Sequence, residues 1–378
     1  MRLVDLTLFY TVESGGIRTY LTSKARWLAR HTRVEHIIVG PSLIDAQAEP
    51  AFVSVPSVPV PYAPGYRMPL STRLAAQKVA RLKPDLIEVG DPYQFAWTAL
   101  RVKRKLDIPV LAFCHSDLPR LIAHRFGTVA QPIAADYLAR LYRRFDLVLA
   151  PSKAMMQRLQ ELGIENVEYQ PLGVDTETFS PRQRDPQLRD RLGIPEGARL
   201  LVFAGRFTRE KNLPLLLEAV RRLGPPYHLL MVGCGADFPP QERVSYLPFQ
   251  SDQAALASVL ASCDLLVHPG DRETFGLIVL EAMASGIPVV GTAAGGVREL
   301  VDPDTGVLVE PGSADKLAEG IIHAFEMDCA ALGAAARRRA VEKFSWESIF
   351  PQLLGHYNSL LAAYQQVQPD LGTSYVPD

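Results

Sequence analysis

Short apolar runs rich in β-branched residues recur along the chain, each followed by a longer stretch whose apolar positions return every three or four residues. In the first half the runs are 3–9, 36–39, 86–89, 110–113 and 147–150, with Arg/Ala/Leu-rich segments between them. The short runs predict strands and the longer segments helices, so their alternation predicts a parallel sheet covered by helices. The rhythm restarts at 200–204 and continues through 228–232, 265–268, 288–290 and 306–309. Two α/β domains in tandem follow.

Between the halves lies a segment bounded by Pro171 and Pro181, followed by a charged stretch from Arg182 to Arg191, which sets the boundary near 175–195. We assign 1–180 to an N-terminal domain, 181–345 to a C-terminal domain, and 346–378 to a final helix and tail. Ser345 can cap that helix and Trp346 anchor it; its pattern runs from about 349 to 364 and loosens from Gln365. The Pro-rich stretch 55–64 is expected to be an extended loop.

With 378 residues, 48% of them hydrophobic, the chain can bury two cores, yet no apolar run approaches the roughly 20 residues of a membrane-spanning helix. The start of the chain lacks the cationic end and cleavage site of a secretory signal. Cys114, Cys234, Cys263 and Cys329 form no C-x-x-C pair, so a reducing cytoplasm is expected rather than a disulfide framework or zinc cage. The net charge of −1 conceals a basic N-terminal half and an acidic remainder. Arg101, Lys103, Arg104 and Lys105, then Arg140, Arg143 and Arg144, suit anionic lipid, an acidic substrate or plain solvation. Leu121, Ile122, Phe126, Val129 and Ile133 read either as core or as a face that docks on an anionic membrane. No nucleic-acid partner is expected.

The sharpest chemical signal is Glu273-Thr-Phe-Gly-Leu-Ile-Val-Leu-Glu281, two acids separated by seven residues that are apolar or Gly apart from Thr274. A helix opening near Phe275 would leave the N–H groups of Gly276, Leu277 and Ile278 free for a diphosphate or sugar hydroxyls. Glu281 would offer a carboxylate to a vicinal diol. Arg206 and Lys211 follow the run 200–204, and two neighbouring cations repel unless an anion joins them. Gly15 and Gly16 lack the Cβ that would keep a ligand from the backbone. His115 follows 110–113 and Gly233-x-Gly235 follows 228–232. Phe238 stands where a dinucleotide fingerprint needs Gly or Ala, which disfavours NAD. Asp302-Pro303-Asp304 precedes Thr305-Gly306 as a turn would, so we assign no metal.

Together with Pro151-Ser152, Gly173-Val-Asp-x-x-x-Phe179 and Gly295-Gly296-Val-Arg-Glu299, these motifs resemble, over nearly the whole chain, the E-x7-E group of retaining GT-B glycosyltransferases, family 4. The resemblance implies two Rossmann-like doubly wound parallel-sheet domains facing across a cleft, with the C-terminal helix crossing back to the first domain. It implies a nucleotide-diphosphate sugar as donor, held by Gly15, Gly16, Arg206, Lys211, Gly233, Gly235, Glu273, Phe275, Gly276, Leu277, Ile278 and Glu281. His115, Arg206, Lys211 and Glu273 would carry catalysis, and Asp117 and Arg18 would touch the acceptor. No cofactor or metal is implied. The stretch 13–20, with His115-Ser-Asp-Leu-Pro119, is similar to bacterial members that glycosylate lipids, so a membrane lipid or lipid-linked glycan is the expected acceptor and the inner face of the cytoplasmic membrane the expected location. A soluble acceptor, or a nucleotide-sugar epimerase of the same shape, remains open at this point.

Overall fold

The computed structural model describes residues 1–11, 15–41, 50–60 and 66–367. The chain divides into two compact units: one comprises Met1–Pro171 and the chain from Ile349 onward, the other Leu172–Ser348.

The first unit contains β1 (Arg2–Leu6), β2 (Glu35–Gly40), β3 (Phe52–Ser54), β4 (Ser57–Pro59), β5 (Arg67–Pro69), β6 (Leu86–Val89), β7 (Val110–Phe113), β8 (Leu147–Ala150) and β9 (Val167–Tyr169). Among the described residues, seven of these strands form one parallel sheet in the order β3-β2-β1-β6-β7-β8-β9, while β4 and β5 pair antiparallel. Every residue of β6, β7 and β8 is buried. Such strands read as continuous rather than alternating apolar runs because helices cover both faces of a parallel sheet. The chain enters at β1, winds outward to β3, returns beside β1 as β6 and winds out the other way.

The second unit repeats this plan with β10 (Arg199–Phe207), β11 (Tyr227–Gly235), β12 (Val244–Pro248), β13 (Leu265–His268), β14 (Val289–Thr292) and β15 (Gly306–Val309). Their order is β12-β11-β10-β13-β14-β15, all parallel. Both units are therefore doubly wound, as expected from the sequence. In such sheets ligands sit beyond the carboxyl ends of the strands where the winding reverses, here between β1 and β6 and between β10 and β13.

The units part earlier than residue 180, because 172–180 is fastened to the second one. Val174 bridges to Ser345, the Arg337 Nη1 donates to the Phe179 carbonyl at 2.7 Å, and Gly173 lies so close to Trp346 that a Cβ there would meet its ring at 2.6 Å. The last helix, Trp346–Val367, contributes its greater part to the first unit. There the Phe350 ring lies 5.7 Å from that of Trp27, and the His356 Nδ1 is 2.8 Å from the Glu168 carboxylate. Tyr357 reaches a fully buried network: the Lys24 ammonium contacts Asp5 at 2.7 Å, Glu88 at 2.9 Å and the Tyr357 hydroxyl at 3.2 Å.

Candidate active site

In the second unit the reversal point gathers two loops. One leaves β10 through Arg206 and a single turn, Arg209–Lys211; the other leaves β13 through His268 and runs to Gly276. They are tied together by the Lys211 ammonium, which donates to Oε1 of Glu273, and by the Asn212 side chain, which donates to the Pro269 carbonyl and to Asp271, both at 3.2 Å. His268, fully buried at the end of β13, brings its Nε2 to 3.1 Å from the same Glu273 oxygen.

The Glu273 loop is also gripped from β14. Thr292 donates to the Gly270 carbonyl at 2.5 Å and the Gly296 N–H to the Glu273 carbonyl at 2.9 Å. A Cβ on Gly295 would lie 2.3 Å from the Glu273 carbonyl oxygen and one on Gly296 would lie 2.4 Å from the Phe275 Cα. Backbone contact this close admits no side chain, which accounts for the Gly-Gly pair.

The two acids of the motif sit in opposite electrostatic settings. Burial opposes ionisation of Glu273, but Lys211 beside it and the hydrogen bond from His268 hold its carboxyl well below the usual range. Glu281 is only 9% exposed, nothing among the described residues donates to its carboxylate, and burial pushes it up to about 7. The helix is Leu277–Ala284, with Gly276 at its N-cap position and no side-chain cap. It starts two residues later than the sequence suggests: Phe275 is buried, with its ring 6.4 Å from that of Phe344, and the backbone of Gly276 is left-handed. The N–H groups of Leu277 and Ile278 have no acceptor within the helix.

The Arg206 side chain is exposed and makes no ion pair or hydrogen bond with the described residues, the Thr208 N–H bonding only its carbonyl at 2.9 Å, so its charge is available to an anion. Lys211 is engaged with Glu273 instead. Gly205, Gly233 and Gly235 lie where β10 and β11 run side by side, and a Cβ on Gly233 would sit 1.9 Å from the Gly205 carbonyl oxygen. Close strand contact thus explains Gly233 without any ligand. Asp302 accepts from Thr305 Oγ1 at 3.0 Å and pairs with Arg339 at 2.7 Å, the turn foreseen for that segment.

In the first unit, the reversal point collects residues from three strand ends. Asp91, after β6, accepts the Leu8 N–H at 2.8 Å and the Tyr93 N–H at 3.2 Å, and burial lifts its carboxyl to about 7. His115 follows β7, half-buried, its ring stacked on Phe113 with centroids 4.4 Å apart and 5.3 Å from that of Tyr20. Burial and the nearby Lys24 ammonium push the imidazole down to about 3, so it is neutral at physiological pH. Tyr20 in turn donates to Glu88 at 2.9 Å, which makes the Lys24 network the footing of His115.

The helix Gly16–His31 opens at this end with no side-chain cap. A Cβ added to Gly15 would meet nothing within 4 Å, so packing among the described residues does not require glycine there. Arg18 is half-buried in that first turn; Glu13 and Ser14 lie outside the described residues. Asp117 caps the helix Leu118–Phe126 and pairs with Arg158 at 2.6 Å, which gives its carboxylate a framework task.

Sequence reasoning did not single out His268, Lys24 or Asp91. His268 ends an ordinary strand run, and only its spacing of five from Glu273 could have marked it. Lys24 and Asp91 carry no local motif.

Residues 14–178 match the family model described as Glycosyltransferase Family 4, and residues 184–340 match the model described as Glycosyl transferases group 1. The chain is 34% identical, over 74% of its length and 74% of the relative's, to a GDP-mannose-dependent alpha-mannosyltransferase of Mycolicibacterium smegmatis. It is 30% identical, over 94% of its length and 95% of the relative's, to a GDP-mannose-dependent alpha-(1-6)-phosphatidylinositol dimannoside mannosyltransferase of Mycobacterium tuberculosis. Among solved structures, the Anabaena protein HepE in complex with UDP-glucose superposes with a TM-score of 0.77 at 22% identity, covering 95% of this chain and 100% of that one. No helix among the described residues is long and apolar enough to cross a membrane. Likeness of this extent, added to two reversal points furnished alike with strand-end loops and an open helix end, establishes that the chain belongs to the family 4 nucleotide-sugar glycosyltransferases of GT-B fold.

Proposed function

We propose that this enzyme transfers a mannosyl residue, with retention, from GDP-mannose to a hydroxyl of a phosphatidylinositol-type glycolipid at the inner face of the cytoplasmic membrane. The donor and acceptor classes draw support from the two mannosyltransferase relatives, the second of which matches over nearly the full length. The observation that carries the donor site is the contrast between the two glutamates: an ionised Glu273 locked to Lys211 and His268, and a buried Glu281 without a donor beside it. A carboxylate left unsatisfied in this way suits a diol such as that of a ribose.

In this reading the diphosphate lies against Arg206, Lys211 and the N–H groups of Leu277 and Ile278, where helix dipole and cations favour negative charge. The bond from the anomeric carbon to the phosphate oxygen breaks, and the acceptor oxygen bonds to that carbon on the same face. The acceptor proton passes to the departing phosphate oxygen. The developing charge is met by preorganised donors, so no resident metal is invoked. Glu273 orients Lys211 and faces the sugar, while neutral His115 hydrogen-bonds a sugar hydroxyl. Gly15 and Gly16 let the backbone approach, and Arg18 faces the acceptor.

The test is to supply GDP-mannose, GDP-glucose, UDP-glucose and UDP-galactose in turn with a phosphatidylinositol mannoside and to follow the product by mass spectrometry and NMR. Transfer from GDP-mannose with an α-linked product is expected. A β-linkage defeats the retaining assignment, and transfer from UDP-sugars alone defeats the donor assignment.

A further inference from the structure

Just beyond His115 the first unit carries a helical hairpin, Leu118–Phe126 and Gln131–Tyr142, joined by Gly127 and a single turn, Thr128–Ala130. Its inward side is ordinary core: Leu118, Leu138 and Leu141 are buried, and Ile122 and Tyr137 pack against the same cluster. Its outward side is not. Leu121 is 45% exposed, Phe126 68%, Ile133 73% and Val129 86%; Val129 lies in the connection between the helices, Phe126 and Ile133 on the turns flanking it, and Leu121 one turn further back on the first helix.

Exposed apolar side chains scattered singly need no explanation, but four gathered within thirteen residues at a hairpin tip do. Their surroundings are basic. Arg125 lies over the Phe126 ring at 5.7 Å, the exposed His124 adjoins it, and Arg120 and Arg140 are solvent-facing. Four arginines here, Arg120, Arg125, Arg140 and Arg158, stand against two acids, Asp117 paired with Arg120 and Arg158, and Asp136 paired with Arg140 at 2.9 Å, so the tip keeps a net positive charge. Apolar side chains at a tip with cations around them match the layering of an anionic bilayer, where hydrocarbon lies beneath negatively charged headgroups.

We infer that Leu121, Phe126, Val129 and Ile133 insert into the interface of an anionic phospholipid membrane while Arg125 engages its headgroups and the net positive charge of the tip attracts them. Because the hairpin begins three residues after His115, insertion holds that wall of the first unit at headgroup level, where the hydroxyls of a glycolipid acceptor are. The inference deepens the proposed function and rests on its membrane-lipid acceptor.

The experiment compares the full chain with the variant Phe126→Ser/Val129→Ser/Ile133→Ser, whose substitutions fall on exposed sites and spare the core. Both are sedimented with phosphatidylcholine vesicles, with and without phosphatidylinositol, at low and high salt. The native chain is expected to bind only the anionic vesicles, less so at high salt, and the variant to bind at least about tenfold more weakly. Mannosyl transfer from GDP-mannose is measured alongside, to vesicle-borne acceptor and to a short-chain acceptor dispersed as monomers. The variant should lose rate on vesicles only. Equal vesicle binding by the two proteins overturns the inference, as does a native chain that leaves anionic vesicles in solution at low salt. Sedimentation velocity that finds native dimers and variant monomers, with no vesicle binding by either, assigns the patch to self-association and likewise overturns it. Absence of transfer to both acceptors, with vesicle binding intact, counts against the proposed function and not against the docking surface.

Discussion

Replacing Glu281 by Gln tests the donor site because one buried group is expected to govern both nucleotide affinity and the stability of the empty protein, in opposite directions. Burial raises the Glu281 carboxyl from its ordinary 4.5 to about 7. Between those values the folded chain keeps a proton that the unfolded chain has released, so stability falls as pH rises through this window and is level above it. A displacement of this size corresponds to about 3 kcal/mol. Glu281→Gln removes the penalty, and the empty variant should therefore be more stable than the native chain by up to about 3 kcal/mol at pH 8 and little different at pH 4.5. Nucleotide affinity should move the other way. A diol bound to an ionised carboxylate contributes about 1.5–3 kcal/mol, so GDP should bind the variant roughly 10–100 times more weakly at pH 8. At pH 6 only about a tenth of the native Glu281 is ionised, and the difference should shrink about tenfold. Calorimetric titration with GDP at pH 6, 7 and 8 measures the affinities, the variant supplying the baseline for the nucleotide's own titration. Urea unfolding of the ligand-free proteins measures stability. A variant that binds GDP like the native chain at pH 8, or whose deficit is unchanged at pH 6, refutes the diol assignment.

Arg206→Ala and Lys211→Ala should each raise the barrier to transfer by about 2–4 kcal/mol, read as kcat/KM under saturating acceptor, with an unfolding curve that stays near native for Arg206→Ala and moves to lower stability for Lys211→Ala, which leaves Glu273 without its cation; near-normal turnover in both removes the diphosphate assignment. Activity should persist in EDTA, since cationic side chains and a helix end oppose the developing charge, and loss that magnesium or manganese restores contradicts this. Lys24→Met leaves Asp5 and Glu88 buried without their cation and should cost about 3–5 kcal/mol of stability, visible in urea unfolding; a cost below 1 kcal/mol overturns the account of the network.

The strands inside both sheets were legible because burial on two faces demands unbroken apolar runs: 86–89, 110–113, 147–150 and 265–268 coincide with the observed strands. Of the four edge strands of the two parallel sheets, Gly306–Val309 alone was legible. Phe52–Ser54, Val167–Tyr169 and Val244–Pro248 are short and partly exposed, and Ser57–Pro59 falls in the Pro-rich stretch expected to be loop. The segment 172–180 carries Pro and Gly like a linker, but what assigns it to the second unit is the Trp346 ring and the Arg337 guanidinium, far away in sequence. In the proposed donor site the E-x7-E pattern located both acids, whereas the contrast in their charge states depends on His268 and on the side-chain geometry of Lys211. Lys24 reads as a solvated residue of an amphipathic helix until Asp5, Glu88 and Tyr357 arrive from three other elements. The apolar residues after His115 admitted two readings, and exposure removes the core reading for Leu121, Phe126, Val129 and Ile133, while Ile122 packs inward.

The interrupted course of the chain through the first unit also orders its assembly in time. The second unit is one continuous stretch and can close as soon as Ser348 has left the ribosome, while the first unit, though begun earlier, still lacks the helix that carries Tyr357. Until that helix arrives, the Glu88 carboxylate misses the Tyr357 hydroxyl, and the Lys24 cluster, the footing of His115, stays open on one side. The half of the molecule made first is thus finished last. A chain held on the ribosome with residue 349 still inside the exit tunnel would carry a closed second unit and an incomplete first one, and its protease sensitivity should concentrate in 1–171.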